Sequence, residues 1–212
     1  MKILVSIISS KLHINERIFF IKKTWLKDVP NYVIISDYED QSDNTVKLSE
    51  DTSYVSNVEK NFESFKLFSE KYEEFDWYIN VDDDTYLNYE NLKSLVSGLS
   101  TDEVYITGFI NEGTYPEDTS LHYCSGGAGY LFNRKTLNVL KEISEDCNIS
   151  RFADVNIGVF CRKNSINIIH NNLFNKDKAD LNIHSLDHIK KSITFHYVFG
   201  QSFEYIYSLI NK

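Results

Sequence analysis

The chain predicts an α/β layered fold, a mostly parallel central sheet with helices on both faces, and three observations carry that reading. Short runs of β-branched and aromatic residues (ILVSII, YVIIS, WYINV, VYITG) alternate with longer stretches whose apolar residues recur at helical spacing. The first run is apolar almost throughout rather than alternating, as a strand covered on both faces requires. The 212 residues include 14 tyrosines and 14 phenylalanines but only 2 prolines and 8 glycines, so large core-forming side chains outnumber chain breakers. Residues 1–212 therefore read as a single domain, long enough to bury a sizeable core.

The elements follow in order. Ile3–Ile8 is a strand, with Ser9, Ser10 and Lys11 forming the turn at its carboxyl end. Asn15 is placed to cap a helix running through Leu26, whose inner side is Ile18, Phe19, Ile21, Lys22 and Trp25. Tyr32–Ser36 is a second strand, ended by Asp37; the polar stretch 38–53 is loop with a short strand near Val46. A helix from Val58 to Tyr72 carries Phe62, Phe65, Leu67 and Phe68 near helical period. Trp77–Val81 is a buried strand, Glu90–Leu99 a helix facing inward through Leu92, Leu95 and Val96, and Val104–Gly108 a further strand. In such sheets ligands sit at the carboxyl ends of the strands. Ser9, Ser36 and the acidic cluster at Asp82 all fall at such ends, so three segments are expected to converge on one site.

Charge and cysteine content exclude several classes. The net charge is −9, with no basic block, which argues against nucleic acid or anionic membrane as a partner. The 3 cysteines, Cys124, Cys147 and Cys161, are odd in number and contain no C-x-x-C pair, so buried free thiols are expected rather than a disulfide framework or structural zinc. The apolar run after Lys2 is too short to span a bilayer and lacks a small-residue cleavage site. The chain reads as cytoplasmic, without signal peptide or membrane anchor.

Chemistry concentrates in WYINVDDDTY, Trp77–Tyr86. Three carboxylates at the mouth of an apolar strand repel one another, and a divalent cation with hard oxygen ligands removes the cost. In extended chain Asp82 and Asp84 point to one side and Asp83 to the other, so an Asp-x-Asp pair can face one ion. Taken alone, the triplet reads equally as an acidic turn before a helix. SGGAGYLFNRKTL, Ser125–Leu137, is glycine-rich: Gly126 and Gly127 permit positive φ or close approach of a ligand, or simply a tight turn before a strand. It is neither a Walker loop nor a dinucleotide fingerprint. In FADVNIGVF, Asp154 opens a helix, where a carboxylate can cap exposed N–H groups or serve catalysis.

DWYINVDDDTYLNYENL, SGGAGYLFNRKTL and ADVNIG, in that order, resemble the Fringe and core 1 β1,3-galactosyltransferase group of inverting glycosyltransferases. The likeness extends to Arg17, Thr24-Trp25, Lys66 and SITFHYV, about residues 3 to 198. It implies a GT-A fold, with a nucleotide-binding half to about residue 85 and an acceptor and catalytic half after it. It further implies a UDP-sugar donor, Mn²⁺ (or Mg²⁺), and transfer with inversion to a glycan or glycoprotein acceptor in β1,3 linkage. By the same resemblance Asp84 is a direct metal ligand, Asp82 and Asp83 lie at the metal or the ribose, Ser9, Ser36 and Asp37 lie where uridine is held, Gly126 and Gly127 approach donor or acceptor, and Asp154 is the base. Three departures stand out. Ala153 replaces an acidic residue before the base, and the family's stem, anchor and paired cysteines are missing from the sequence. Leu173-Phe174 is not followed by the family's metal-binding histidine, which leaves His196, the favoured candidate, and Asp177 to complete the metal site. A two-carboxylate glycoside hydrolase using Asp84 and Asp154, and a non-catalytic sugar- or nucleotide-binding module, are the alternative readings.

Overall fold

The computed structural model of the protein describes residues 1–115 and 118–211. In chain order the elements are β1 (Ile3–Ile8), α1 (Phe19–Lys23), β2 (Tyr32–Ser36), β3 (Thr45–Lys47), α2 (Ser56–Lys71), β4 (Trp77–Asp82), β5 (Tyr86–Leu87), α3 (Tyr89–Ser97), β6 (Tyr105–Gly108), β7 (Ile110–Tyr115) and β8 (Asp118–Cys124). Then come β9 (Tyr130–Asn133), α4 (Arg134–Leu140), α5 (Ala153–Lys163), β10 (Asn167–His170), β11 (Phe174–Asn175), α6 (Leu186–Lys191), β12 (Thr194–Phe195) and α7 (Ser202–Ile210).

A seven-stranded sheet in the order β10–β6–β9–β4–β1–β2–β3 forms the centre. It is mostly parallel, as the apolar runs require; β9 alone runs antiparallel, to β4 and to β6. Strand alternation divides the interior into two layers. Ile3, Val5 and Ile7 of β1, with Trp77, Ile79 and Val81 of β4, face the layer that holds Ile18, Ile21 and Trp25. Leu4 and Ile8, with Tyr78, face α2, where Phe65 meets Phe132 edge-on at 5.6 Å and Phe68 stacks on Tyr78 at 5.8 Å. All three cysteines are buried free thiols. Among the described residues, no helix is long and apolar enough to cross a membrane.

The helix expected from Asn15 to Leu26 is broken. A 3-10 turn, Lys11–His13, leads into a π turn, Ile14–Ile18, then α1 and a second 3-10 turn, Trp25–Asp28. Ser10, not Asn15, caps the segment, its side chain accepting the Leu12 N–H. The anchors Ile18, Ile21, Trp25 and Leu26 are buried as periodicity demands, but Phe19 and Lys22 are exposed and Lys22 pairs with Asp43. The wider π turn lets Arg17 face the strand ends while Ile18 enters the core. Thr24 terminates α1 by donating its hydroxyl back to the Phe20 carbonyl at 2.7 Å.

Phe65 is fully buried in the α2 layer. Phe65→Ala is expected to cost about 3–5 kcal/mol, the range for deleting a buried phenylalanine. Urea unfolding of the two proteins measures it; equal midpoints would show that the α2 layer is not the core described here.

Candidate active site

The site forms where β1 and β4 end side by side. Asp83 N–H donates to the Ile8 carbonyl, which ties the acidic triplet to the end of β1. Asp83 then turns from its neighbours: Ser9 Oγ donates to it at 2.8 Å, and Arg17 Nη1 pairs with it at 2.5 Å. Burial opposes the Arg17 charge, but Asp83 outweighs it and holds the guanidinium above its ordinary pKa.

Asp82 and Asp84, the latter also 3.6 Å from Arg17 Nη1, line an open cleft of about 1020 Å³. A short antiparallel pairing supplies their third partner. β5 follows the triplet directly, β12 immediately precedes His196, and Phe195 pairs with Tyr86. The ladder thus delivers His196 to the acidic turn, with Nε2 at 3.3 Å from Asp84 Oδ1. Among the described residues, Asp82, Asp84 and His196 form a group whose ligand atoms all lie within 4.8 Å of one another. His196 Nδ1 lies 3.2 Å from the Lys176 carbonyl, a contact that orients the ring and leaves Nε2 toward the carboxylates. Two carboxylates and an imidazole are a donor set suited to a divalent cation. Burial first, then Asp84, push the Asp82 carboxyl up to about 7. Burial opposes a proton on His196, yet Asp84 and Asp82 raise its pKa above the ordinary value.

The glycine loop is locked onto this group. Thr85 Oγ1 donates to the Gly127 carbonyl at 2.8 Å and Thr194 Oγ1 to the Ala128 carbonyl at 2.5 Å. The turn closes with Gly129 N–H on the Gly126 carbonyl, and the residue with positive φ is Gly129 (77°), not Gly126 or Gly127. Gly127 is needed for another reason: a Cβ there would overlap the His196 ring. At Gly127 the loop thus closely approaches a protein side chain, and Gly126 and Gly127 also line the cleft.

Asp154 lies in the first turn of α5, whose N-cap, Phe152, has no side-chain capping bond. Asp154 Oδ1 accepts the Val155 N–H at 2.9 Å and Oδ2 accepts the Gly126 N–H at 3.0 Å, joining helix to glycine loop. Burial raises its pKa, with those two N–H groups working against the rise. It lines the same cleft as Asp82 and Asp84.

Other expected residues fall elsewhere. Ser36 and Asp37 are buried behind the cleft and do not line it. Asp37 accepts the Lys11 N–H and the Ser10 and Ser36 hydroxyls; burial works against its charge, but these bonds together lower its pKa. Asp177 lines the cleft but lies outside the Asp82–Asp84–His196 group. Lys66 is on the exposed face of α2, paired with Glu63. Lys60, which sequence reasoning missed, is 1 % exposed, lines the cleft and donates to the Ser9 carbonyl at 2.9 Å. Its signal was a lysine set between Val58 and Phe62 in the buried arc of α2. Tyr54, also missed, lines the cleft.

Comparison with known proteins gives the family and the fold. The Fringe-like family model matches residues 1–207. A β-1,3-glucosyltransferase of Mus musculus is 28% identical over 148 residues, 69% of this chain and 30% of that protein. The β-1,3-N-acetylglucosaminyltransferase manic fringe of Danio rerio is 23% identical over 216 residues, 88% of this chain and 59% of that protein. The chain thus spans less than two thirds of the length of either relative. Among solved structures, a glycosyltransferase involved in the glycosylation of the major capsid of PBCV-1 superposes with a TM-score of 0.60 at 15% identity, covering 100% of this chain and 99% of that one, and the shared fold is GT-A. Because the family match takes in every segment that builds the cleft, from β1 through the His196 turn, the chain belongs to the Fringe-like family.

Proposed function

We propose that the protein transfers a hexose from a UDP-sugar to an acceptor hydroxyl, with inversion, using Mn²⁺ or Mg²⁺ held by Asp82, Asp84 and His196. The observation that carries this reading is that a metal-capable group and a separate half-buried carboxylate, Asp154, open onto one cleft and are joined through one glycine loop. Two relatives named as β-1,3-transferases support a β1,3 linkage; their sugars make glucose and N-acetylglucosamine donor candidates, and the sequence resemblance adds galactose.

A bound divalent cation would offset the negative charge that grows on the departing diphosphate. The remaining work belongs to side chains. Arg17 and Lys60 place positive charge beside β1 and β4, on the side where the nucleotide would lie. Asp154 acts as general base: it takes the proton of the acceptor hydroxyl as that oxygen bonds to the anomeric carbon, while the bond to the diphosphate breaks and its electron pair leaves with UDP. A carboxylate has about four acceptor positions, and the Gly126 and Val155 N–H groups use two, so capacity remains for an incoming hydroxyl. Partial desolvation raises its pKa toward the range a base needs. Ala153 means that no carboxylate precedes the base, which leaves Asp154 to take the proton unaided by its chain neighbour.

Three outcomes test this reading. UDP affinity measured by calorimetry is expected to depend on Mn²⁺ and to lose that dependence in Asp84→Asn; equal affinity in chelator and in Mn²⁺ would remove the metal from the proposal.

Gly127→Ala forces either the His196 ring or the turn to move, so it is expected to weaken Mn²⁺-dependent UDP binding while the fold persists. Unchanged Mn²⁺ titration in a folded variant would show that His196 is not a ligand.

Asp154→Asn is expected to retain UDP binding and to lower transfer, or hydrolysis of the UDP-sugar by water, by on the order of 10²–10⁴-fold. Wild-type turnover would return Asp154 to a structural role, since Asn serves a helix N-terminus about as well.

A further inference from the structure

We propose that Tyr54 is the stacking platform of an acceptor subsite for a neutral pyranose ring, an inference that rests on the transferase reading above. Single exposed aromatics are ordinary on protein surfaces. Here three of them, Tyr54, Phe152 and Tyr197, come from distant segments and line one cleft at exposures of 61%, 39% and 55%. Two of them touch: the Tyr54 and Phe152 rings meet edge-to-face, with centroids 6.2 Å apart at 74°. Arg151 sits over Phe152, 4.9 Å from its centroid. Phe152 is thus braced on both sides, and Tyr54 is the ring left with open surface.

Position gives this surface its role. Phe152 is the N-cap of α5 and lies two residues before Asp154, so Phe152 and the base belong to one short segment, and Tyr54 packs against that segment through Phe152. A ring laid on Tyr54 is beside the carboxylate that has to receive its proton. Tyr197, two residues after β12, also lines the cleft. Its ring stacks on that of His196, with centroids 3.7 Å apart, and its backbone is held at φ 54°, a conformation unusual for a bulky residue and typical of functional sites. A pyranose fits because its C–H face is apolar and its rim carries hydroxyls, matching an aromatic body next to polar groups. Neutrality follows from the balance of charge: Arg17, Lys60 and Lys176 line the cleft beside Asp82, Asp83, Asp84, Asp154, Asp177 and Glu112, and the excess of carboxylates disfavours an anionic sugar.

The test is saturation-transfer NMR on the protein with UDP and Mn²⁺ present. Methyl β-galactopyranoside, methyl β-glucopyranoside and methyl α-mannopyranoside serve as neutral probes, and methyl β-glucuronide as the anionic one. UDP binding is measured in parallel by calorimetry. At least one neutral probe is expected to receive saturation and the glucuronide none. Tyr54→Ala is expected to reduce the signal roughly tenfold, the scale of one lost aromatic contact, and Tyr54→Phe to retain it. The proposal is overturned if no neutral probe gives a signal, if the glucuronide binds as well as they do, or if Tyr54→Ala leaves the signal unchanged. It is overturned too if Tyr54→Phe loses as much as Tyr54→Ala, which would make the hydroxyl rather than the ring the contact, or if Tyr54→Ala abolishes UDP binding, which would move the ring to the donor side. Absence of UDP binding in the wild type would sink the transferase reading alone, because a Tyr54-dependent pyranoside signal would still stand.

Discussion

Adjacent carboxylates at the end of a buried strand repel: two unit charges about 4 Å apart cost roughly 4 kcal/mol at an effective dielectric of about 20. Asp82, Asp83 and Asp84 are placed in that situation, and the fold around them is arranged to meet it. Asp83 is satisfied by Ser9 and Arg17, from the end of β1 and from the π turn after it. Asp84 lies between Arg17 and His196, which arrives on β12. Asp82 is left without a cationic side chain at contact distance among the described ion pairs, and burial, then Asp84, raise its pKa. The unusual backbone of the region follows from the same need. The π turn aims Arg17, the two-residue β5–β12 pairing carries His196, and glycine at 127 makes room for the imidazole.

These devices couple the metal-capable group to the proposed base. Gly126 N–H binds Asp154, the next residue packs against His196, and its carbonyl accepts the Thr85 hydroxyl one residue after the triplet. Asp154, His196 and Asp84 are therefore positioned by one continuous set of contacts, although they lie far apart in sequence. A change in the loop reaches both ends of the site. A pre-positioned base and charge-stabilising group is what a single-displacement transfer requires, since the acceptor proton and the diphosphate charge must be handled in the same step.

Much of this was legible in the sequence, for identifiable reasons. β1, β2, β4 and α2 declare themselves because their apolar periodicity is set by burial in the two layers. The acidic triplet stood out because charge beside an apolar run is costly unless something offsets it, whereas Asp154 taken alone reads equally as a helix cap and became the expected base through resemblance. His196 emerged only through resemblance; nothing local distinguishes a histidine in TFHYV from one hydrogen-bonded in a core strand. The break in the Asn15–Leu26 segment was not legible, because it answers to Asp83, a partner 66 residues away from Arg17. The antiparallel direction of β9 was hidden as well: it follows the β7–β8 hairpin and the glycine turn, and strand direction depends on such connections rather than on the strand's own composition.

The displacement of Ser36 and Asp37 from the cleft has a topological cause. In an open α/β sheet the crevice forms where successive connections depart in opposite directions. From β1 the chain proceeds outward to β2 and β3, then returns to place β4 on the other side of β1. The switch point is therefore between β1 and β4, and the carboxyl ends that flank it are Ser9 and Asp82–Asp84. β2 lies one strand farther out, and its end bears on the site through the β1 turn. It does so through Asp37, which takes the Lys11 N–H and the Ser10 hydroxyl and fixes the turn that presents Ser9 to Asp83. A residue at the end of a parallel strand is thus a candidate for direct ligand contact when its strand borders the switch point, and for support of that contact when it does not.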